Sequence, residues 1–328
     1  MLDLSATPPT EQRNPRTTDI DLRPTPAVLA LLHAEDALVP AAVQPVLGAL
    51  AGVVDEAAER IRRGGLVHYF GAGSSGRIAM LDATELVPTF GLAPGIVTAH
   101  LAGGDDAMQR AVEGAEDDDA GGRAAAAGVT AADLVIGLSA SGRTPYVAGA
   151  LAASAERGAF TVVVTCSPGS PLRSLAQVSI VAGTGPEAIA GSTRLKATSA
   201  LKLILNGFST ALMVRLGKTY SNLMVEVSAT NHKLRVRKVR ILREACGADE
   251  IAAESALTQA DGDLRVALVT LLAGAGAERA RQALDAADGN VRGALAALGV
   301  AQPAPRPAVD GNAPLHLSKE ISNGQESP

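Results

Sequence analysis

Two short segments of this chain place hydroxyls and glycines where an anion could be held. The first is Gly71-Ala72-Gly73-Ser74-Ser75-Gly76-Arg77 and the second Ser139-Ala140-Ser141-Gly142-Arg143-Thr144, and Ser-Gly-Arg recurs in both. Each follows a short apolar run and opens a stretch with helical spacing, which sets it at a strand end and a helix start. There backbone N–H groups point at a ligand, the positive end of the helix dipole attracts negative charge, and hydroxyls add short hydrogen bonds without fixed charge. Gly76 and Gly142 let the backbone approach closely. Gly73, Ser74, Ser75, Gly76, Ser139, Ser141, Gly142 and Thr144 are therefore the candidate binders of one phosphate group. The same serines would also cap two helices, and one loop taken alone does not separate the two roles.

The first loop satisfies G-x-G-x-x-G, the pattern of dinucleotide-binding turns. A nicotinamide nucleotide would also need an acid at the end of the second strand to grip its ribose. Here Ile96–Leu101 runs into Ala102-Gly103-Gly104 with no acid before Asp105, which counts against NAD. The five histidines never fall at the i, i+4 spacing of a helical zinc pair. Cys166 and Cys246 lie 80 positions apart, with no disulfide framework or thiolate metal site in prospect. No metal and no cofactor is expected, and two unpaired cysteines fit a reducing cytosol. Cys166 is expected to be a buried, inert thiol.

These loops need a scaffold. An extended arm runs to about Pro24 and a helical stretch from Thr25 to Arg63, ending at Gly64-Gly65. Five apolar, partly β-branched runs follow: Leu66–Phe70, Ile96–Leu101, Leu134–Leu138, Phe160–Thr165 and Val178–Ala182. Most are separated by helix-like segments, as buried parallel strands with crossover helices require. The expectation is an α/β fold, a five-stranded parallel sheet in a doubly wound layer, with N-terminal helices before it.

A helix is expected from Gly191 to Gly217, with Ser192-Thr193 as its cap and Arg194 or Lys196 as a cation toward the ligand, capping alone being an equal reading. Asn222 to Cys246 continues in helical style with a basic stripe, Lys233, Arg235, Arg237, Lys238 and Arg240, best taken as a solvated face. Beyond it, ADGDLRVALV at 260–269 and ADGNVRGALA at 287–296 agree at six of ten positions, an echo 27 residues apart. Each looks like a glycine-containing turn capping a short helix, within a three-helix module. The expected division is 1–63 arm and helices, 64–220 α/β domain with the two phosphate loops, 221–247 connecting helix, 248–300 helical module and 301–328 disordered tail.

The formal charge is −5, from 29 basic and 34 acidic side chains. Nucleic acid and anionic membranes usually demand a basic face. Three Tyr, four Phe and no Trp leave few stacking platforms for single strands. No basic n-region precedes an apolar run at the N-terminus, and no uncharged apolar run reaches the roughly 20 residues of a membrane span, so a soluble protein is expected.

A strand and a serine-rich loop, twice over in a five-stranded α/β layer, resemble the sugar isomerase (SIS) domain. Gly71–Leu92, Ala111–Asp119, Ser139–Ala148, Thr184–Thr198 and Met213–Arg235 closely resemble the N-acetylmuramic acid 6-phosphate etherases. The departures, at Ser74, Thr84 and Thr198-Ser199, remove neither a carboxylate nor a loop hydroxyl. The resemblance implies a cytoplasmic lyase that cleaves the D-lactyl ether of N-acetylmuramic acid 6-phosphate to N-acetylglucosamine 6-phosphate and D-lactate. It also puts the family's two functional glutamates on Glu85 and Glu116. Without it, Glu85 is an exposed helix residue and Glu116 one of an acidic surface cluster.

The chemistry explains two glutamates. Once the sugar opens to its aldehyde, the C2 proton is acidified and the lactyl oxygen sits on the β carbon. One group takes the C2 proton, another protonates the departing oxygen, and water then adds with the roles reversed. Glu85, near the C-terminus of the helix that opens at Gly76 and just before the breaker Pro88, is the expected acid and Glu116 the base. Nine residues of helix separate Gly76 from Glu85, about 14 Å, too far for one phosphate-anchored sugar. A homodimer with shared sites is therefore expected. A non-catalytic phosphosugar sensor and a phosphosugar isomerase are the competing functions.

Overall fold

The computed structural model describes residues 7–226, 232–301 and 303. The helical stretch expected after Pro24 is made of α1 (Thr25–Asp36), α2 (Val39–Val43) and α3 (Leu47–Arg62). Pro40 and Pro45 fall in the first turns of α2 and of the 3-10 turn behind it, where a missing N–H starts an element instead of continuing one. The layer follows as β1 (Val67–Gly71), α4 (Gly73–Phe90), β2 (Val97–Leu101), α5 (Asp106–Gln109), α6 (Asp119–Ala125), β3 (Leu134–Ser139), α7 (Pro145–Glu156), β4 (Phe160–Thr165), β5 (Val178–Val181) and α8 (Lys196–Arg215).

All five expected strands form one sheet, parallel throughout, in the order β2-β1-β3-β4-β5. Alternation sorts its side chains. Val67 and Tyr69 of β1, with Leu134, Ile136 and Leu138 of β3, face a core built with α3, α4 and α8. Phe70, Val135 and Val163 face the opposite core, built with Tyr146, Val147 and Leu151 of α7. Two stretches, Thr25–Arg62 and Lys196–Arg215, are long and apolar enough to cross a membrane by length and composition. In this fold α8 sets Leu201, Ile204, Leu205 and Phe208 into the core beneath the sheet.

Helix α8 starts five residues later than expected, and neither Ser192 nor Thr193 caps it. The Glu187 carboxylate does, accepting the N–H groups of Lys196 at 3.0 Å and Ala197 at 2.9 Å. Lys196 does not face a ligand either. It is 1 % exposed and donates to Glu35 at 2.5 Å, while Arg16 holds the same carboxylate at 2.5 and 2.8 Å. The arm is thereby fastened to the start of α8.

The continuous helix expected from Asn222 is replaced by a two-residue hairpin, β6 (Thr219–Tyr220) with β7 (Leu223–Met224), and α9 (His232–Cys246). Arg235, Arg237 and Arg240 are exposed, as a solvated face requires, but Lys238 is half-buried and donates to the Gly262 carbonyl at 2.6 Å; the Lys233 side chain lies outside the described residues. Four helices follow where three were expected: α10 (Glu250–Gln259), α11 (Leu264–Ala273), α12 (Ala277–Ala286) and α13 (Val291–Ala297). The extra break is at Gly274, a left-handed C-cap, and Gly276, an N-cap. The two echoes share one backbone solution. Asp261 and Gly262 (φ 53° and 80°) match Asp288 and Gly289 (φ 51° and 77°), and Asp263 and Asn290 then cap α11 and α13. The tail beyond residue 303 lies outside the described residues.

Candidate active site

In this strand order the direction of winding reverses between β1 and β3, and the crevice beyond their carboxyl ends is where such sheets bind ligands. Both serine loops are there. β1 and β3 are hydrogen-bonded neighbours with Gly71 opposite Leu138, so the loops leave the sheet about 5 Å apart. Gly71 and Gly76 cross at the first loop, where a Cβ on Gly76 would lie 2.6 Å from the Gly71 oxygen. Helix α4 therefore opens at Gly73, hard against the strand.

The capping role of the serines is not the one adopted. The N-cap of α4 is Ala72, and Thr144, the N-cap of α7, makes no side-chain bond to its helix. Thr144 Oγ1 instead lies 2.8 Å from Ser139 Oγ, which also accepts the Gly142 N–H at 3.0 Å. Ser139 is buried, so its hydroxyl shapes the loop. Gly142 takes φ +71°, and Ser170 Oγ donates to its carbonyl at 2.7 Å. The hydroxyls of Ser74, Ser75 and Ser141 have no hydrogen-bonding partner among the described residues. These hydroxyls and the first-turn amides of α4 are the donors available to an anion.

Glu116 and Glu85 stand on elements that pack against opposite faces of the sheet. Glu116 is exposed on the 3-10 turn Ala115–Asp117, after the left-handed Gly114, and that turn packs on α7, the helix the second loop opens. Glu85 is exposed on α4, which packs on α8 across the opposite face of the sheet. Twelve residues separate it from Gly73, about 18 Å of helix. Pro88 does not end that helix, as its place in the sequence suggested. α4 runs through it for two more residues to a left-handed cap at Gly91, where a Cβ would meet the Glu226 oxygen at 2.6 Å. Glu226 in turn pairs with Lys218 and with Arg265 of α11, each at 2.7 Å.

Two residues that the sequence did not single out brace this frame. Asp82, one turn before Glu85, accepts hydrogen bonds from Tyr69 at 3.1 Å and Ser209 at 2.9 Å, and burial raises its pKa against those two bonds. Arg77 donates to the Ala107 carbonyl at 2.9 Å and the Arg110 carbonyl at 3.3 Å, tying the first loop to the segment that leads to Glu116. Tyr146 in the first turn of α7 is pushed up to about 12 by burial and stays a neutral phenol. Cys166 is pushed up to about 12 by burial as well, which leaves a thiol and not a nucleophile.

The chain matches the model of the glucokinase regulatory protein N-terminal SIS domain over residues 49–155 and that of the SIS domain over residues 111–205. It is 61 % identical over 264 residues to the N-acetylmuramic acid 6-phosphate etherase of Thermobifida fusca, covering 80 % of this chain and 87 % of that one. It is 50 % identical to the etherase of Pectobacterium atrosepticum, over 82 % of this chain and 89 % of that one. The corresponding protein of Yersinia pestis is 49 % identical over 82 % and 92 %. Identity at this level over most of both chains, on a parallel sheet with twin serine loops at its switch point, means that this chain belongs to the N-acetylmuramic acid 6-phosphate etherase family.

Proposed function

We propose that the chain cleaves the D-lactyl ether of N-acetylmuramic acid 6-phosphate, releasing D-lactate and N-acetylglucosamine 6-phosphate, in the recycling of cell-wall amino sugars. The two loops hold the 6-phosphate through the amides at Gly73–Gly76 and the hydroxyls of Ser74, Ser75 and Ser141, with Ser139, Gly142 and Thr144 fixing the second loop. Glu116 takes the C2 proton of the open-chain sugar, and Glu85 protonates the departing lactyl oxygen. Water then adds to the unsaturated aldehyde with the roles reversed. No metal or cofactor takes part. Because the two carboxylates lie on opposite faces of the sheet, Glu85 comes from the partner of a homodimer, and the enzyme works in the cytosol.

The observation that carries this reading is the Glu116 turn seated on the helix that the second serine loop opens. That seat supports a carboxylate beside a phosphate-anchored sugar. The test is lactate release from N-acetylmuramic acid 6-phosphate by the purified chain. Release with equimolar N-acetylglucosamine 6-phosphate supports the lyase. Binding without turnover would make it a sensor, and aldose–ketose interconversion without lactate an isomerase. The roles are separable, since Glu85→Gln should still exchange the C2 proton with solvent while Glu116→Gln should not.

A further inference from the structure

Beyond the outer end of β2 lies a cleft of about 790 Å³, within the range that encloses a small ligand. Met80, His100, Val112, Ala115 and Tyr146 are among the residues that line it, and Val112 and Ala115 lead into the Glu116 turn. Its charge pattern is one-sided. Asp105, Glu113 and Asp118 rim it, and among the described residues no lysine or arginine lines it. His100 adds no cation, because burial and the neighbouring His68 hold its pKa down to about 4. Its Nε2 lies 3.1 Å from His68 Nδ1, and its ring stacks on Phe70. Neither a phosphate nor a lactyl carboxylate would be favourable beside three carboxylates with no cation to offset them.

Resting on the function proposed above, we infer that this cleft receives the neutral acetamido group on C2 of the sugar and selects N-acylated substrates. The acetamido nitrogen is bonded to the carbon from which Glu116 takes a proton, so the acetyl methyl lies only about 4 Å from that carbon. A sugar held at the loops with C2 beside Glu116 therefore directs its acetamide to the adjoining cleft. There Met80, Val112 and Ala115 give apolar surface to the methyl, while Tyr146 and His100 give polar atoms to the amide. The phosphate stays on the loops, none of whose candidate binders lines the cleft.

Equilibrium binding of three sugar phosphates to the full chain tests this. N-acetylglucosamine 6-phosphate should bind about tenfold or more tighter than glucose 6-phosphate, the discrimination that one well-packed group supplies. Val112 is 38 % exposed on a loop, so Val112→Trp fills the cleft at little cost to folding. That variant should abolish the preference and leave the affinity for glucose 6-phosphate as it was. Met80→Phe, on helix α4, should act in the same direction. Equal affinities for the two ligands in the unmodified chain would overturn the inference, as would equal weakening of both by the variants. Tightest binding of glucosamine 6-phosphate would overturn it too, since the cleft would then be a cation site. Failure to bind any sugar phosphate, or to release lactate, defeats the proposed function itself and this inference with it.

Discussion

A chain carrying Glu85→Gln and a chain carrying Ser141→Asp, each inactive alone, should together recover about a quarter of the unmodified activity, the share expected for a two-fold dimer whose sites draw on both chains. The expectation comes from where α4 lies. Glu85 is about 18 Å along that helix from the first loop, on the face of the sheet away from the Glu116 turn. Removing a general acid costs about 10²–10⁴-fold in rate. An aspartate at 141 puts a carboxylate against the phosphate, and at about 4 Å and an effective dielectric of about 20 the repulsion is about 4 kcal/mol, near a thousandfold. Random pairing makes about half of the dimers mixed, and each mixed dimer has one site with both an intact loop and an intact Glu85. Lactate release is measured across mixing ratios, with differently tagged chains to count mixed dimers, and should peak at equal amounts. Crossing Glu116→Gln with Ser141→Asp should restore nothing, because that turn and that loop are on one chain. A mixture no more active than the average of its two components at every ratio would refute the reasoning, as would equal rescue in both crosses.

Two further outcomes concern the frame of the site. At Gly142 (φ +71°) a Cβ would lie 2.3 Å from Ser170 Oγ; Gly142→Ala should therefore lose about 2–5 kcal/mol of stability, from left-handed strain and overpacking, read as a lower urea midpoint at unchanged slope. The Glu35 carboxyl is held down to about 2, chiefly by Arg16 and then by Lys196. A depressed carboxylate stabilises the fold above its ordinary pKa, and that stability is lost as pH falls from 4.5 towards 2. The shift corresponds to about 3 kcal/mol. Urea titrations of Glu35→Gln should show a loss of that order at pH 7 and a flatter profile below pH 4.5.

The sheet was legible because its central strands β1, β3 and β4 are buried on both faces and read as apolar runs, and the loops because Ser-Gly-Arg recurs shortly after two of those runs. What sequence left hidden is long-range or very short. Glu35, Lys196 and Glu187 are ordinary charges in the sequence, and only folding across 161 residues shows that the first two form a buried pair. The late start of α8 follows from that arrangement, since a carboxylate upstream replaces the hydroxyl cap that Ser192 and Thr193 advertised. Strands of two residues, as in the Thr219–Met224 hairpin, carry too little alternation to distinguish them from the start of a helix. Pro88 misled because a proline late in a helix forfeits one hydrogen bond without having to stop the last turn. Glu85 and Glu116 were visible only through family resemblance, as neither spacing nor composition separates them from solvated surface acids.

The helix that bears Glu85 is wedged at each end by a glycine that no side chain can replace without collision, Gly76 against the strand and Gly91 against Glu226. Its length is consequently a ruler. A residue gained or lost between those stops would swing everything downstream by about 100° and shift it by about 1.5 Å, aiming Glu85 at the wrong neighbour while the phosphate loops stayed whole. Drift in this lineage should therefore tolerate exchange of the outward-facing side chains along the helix yet forbid any change in its residue count.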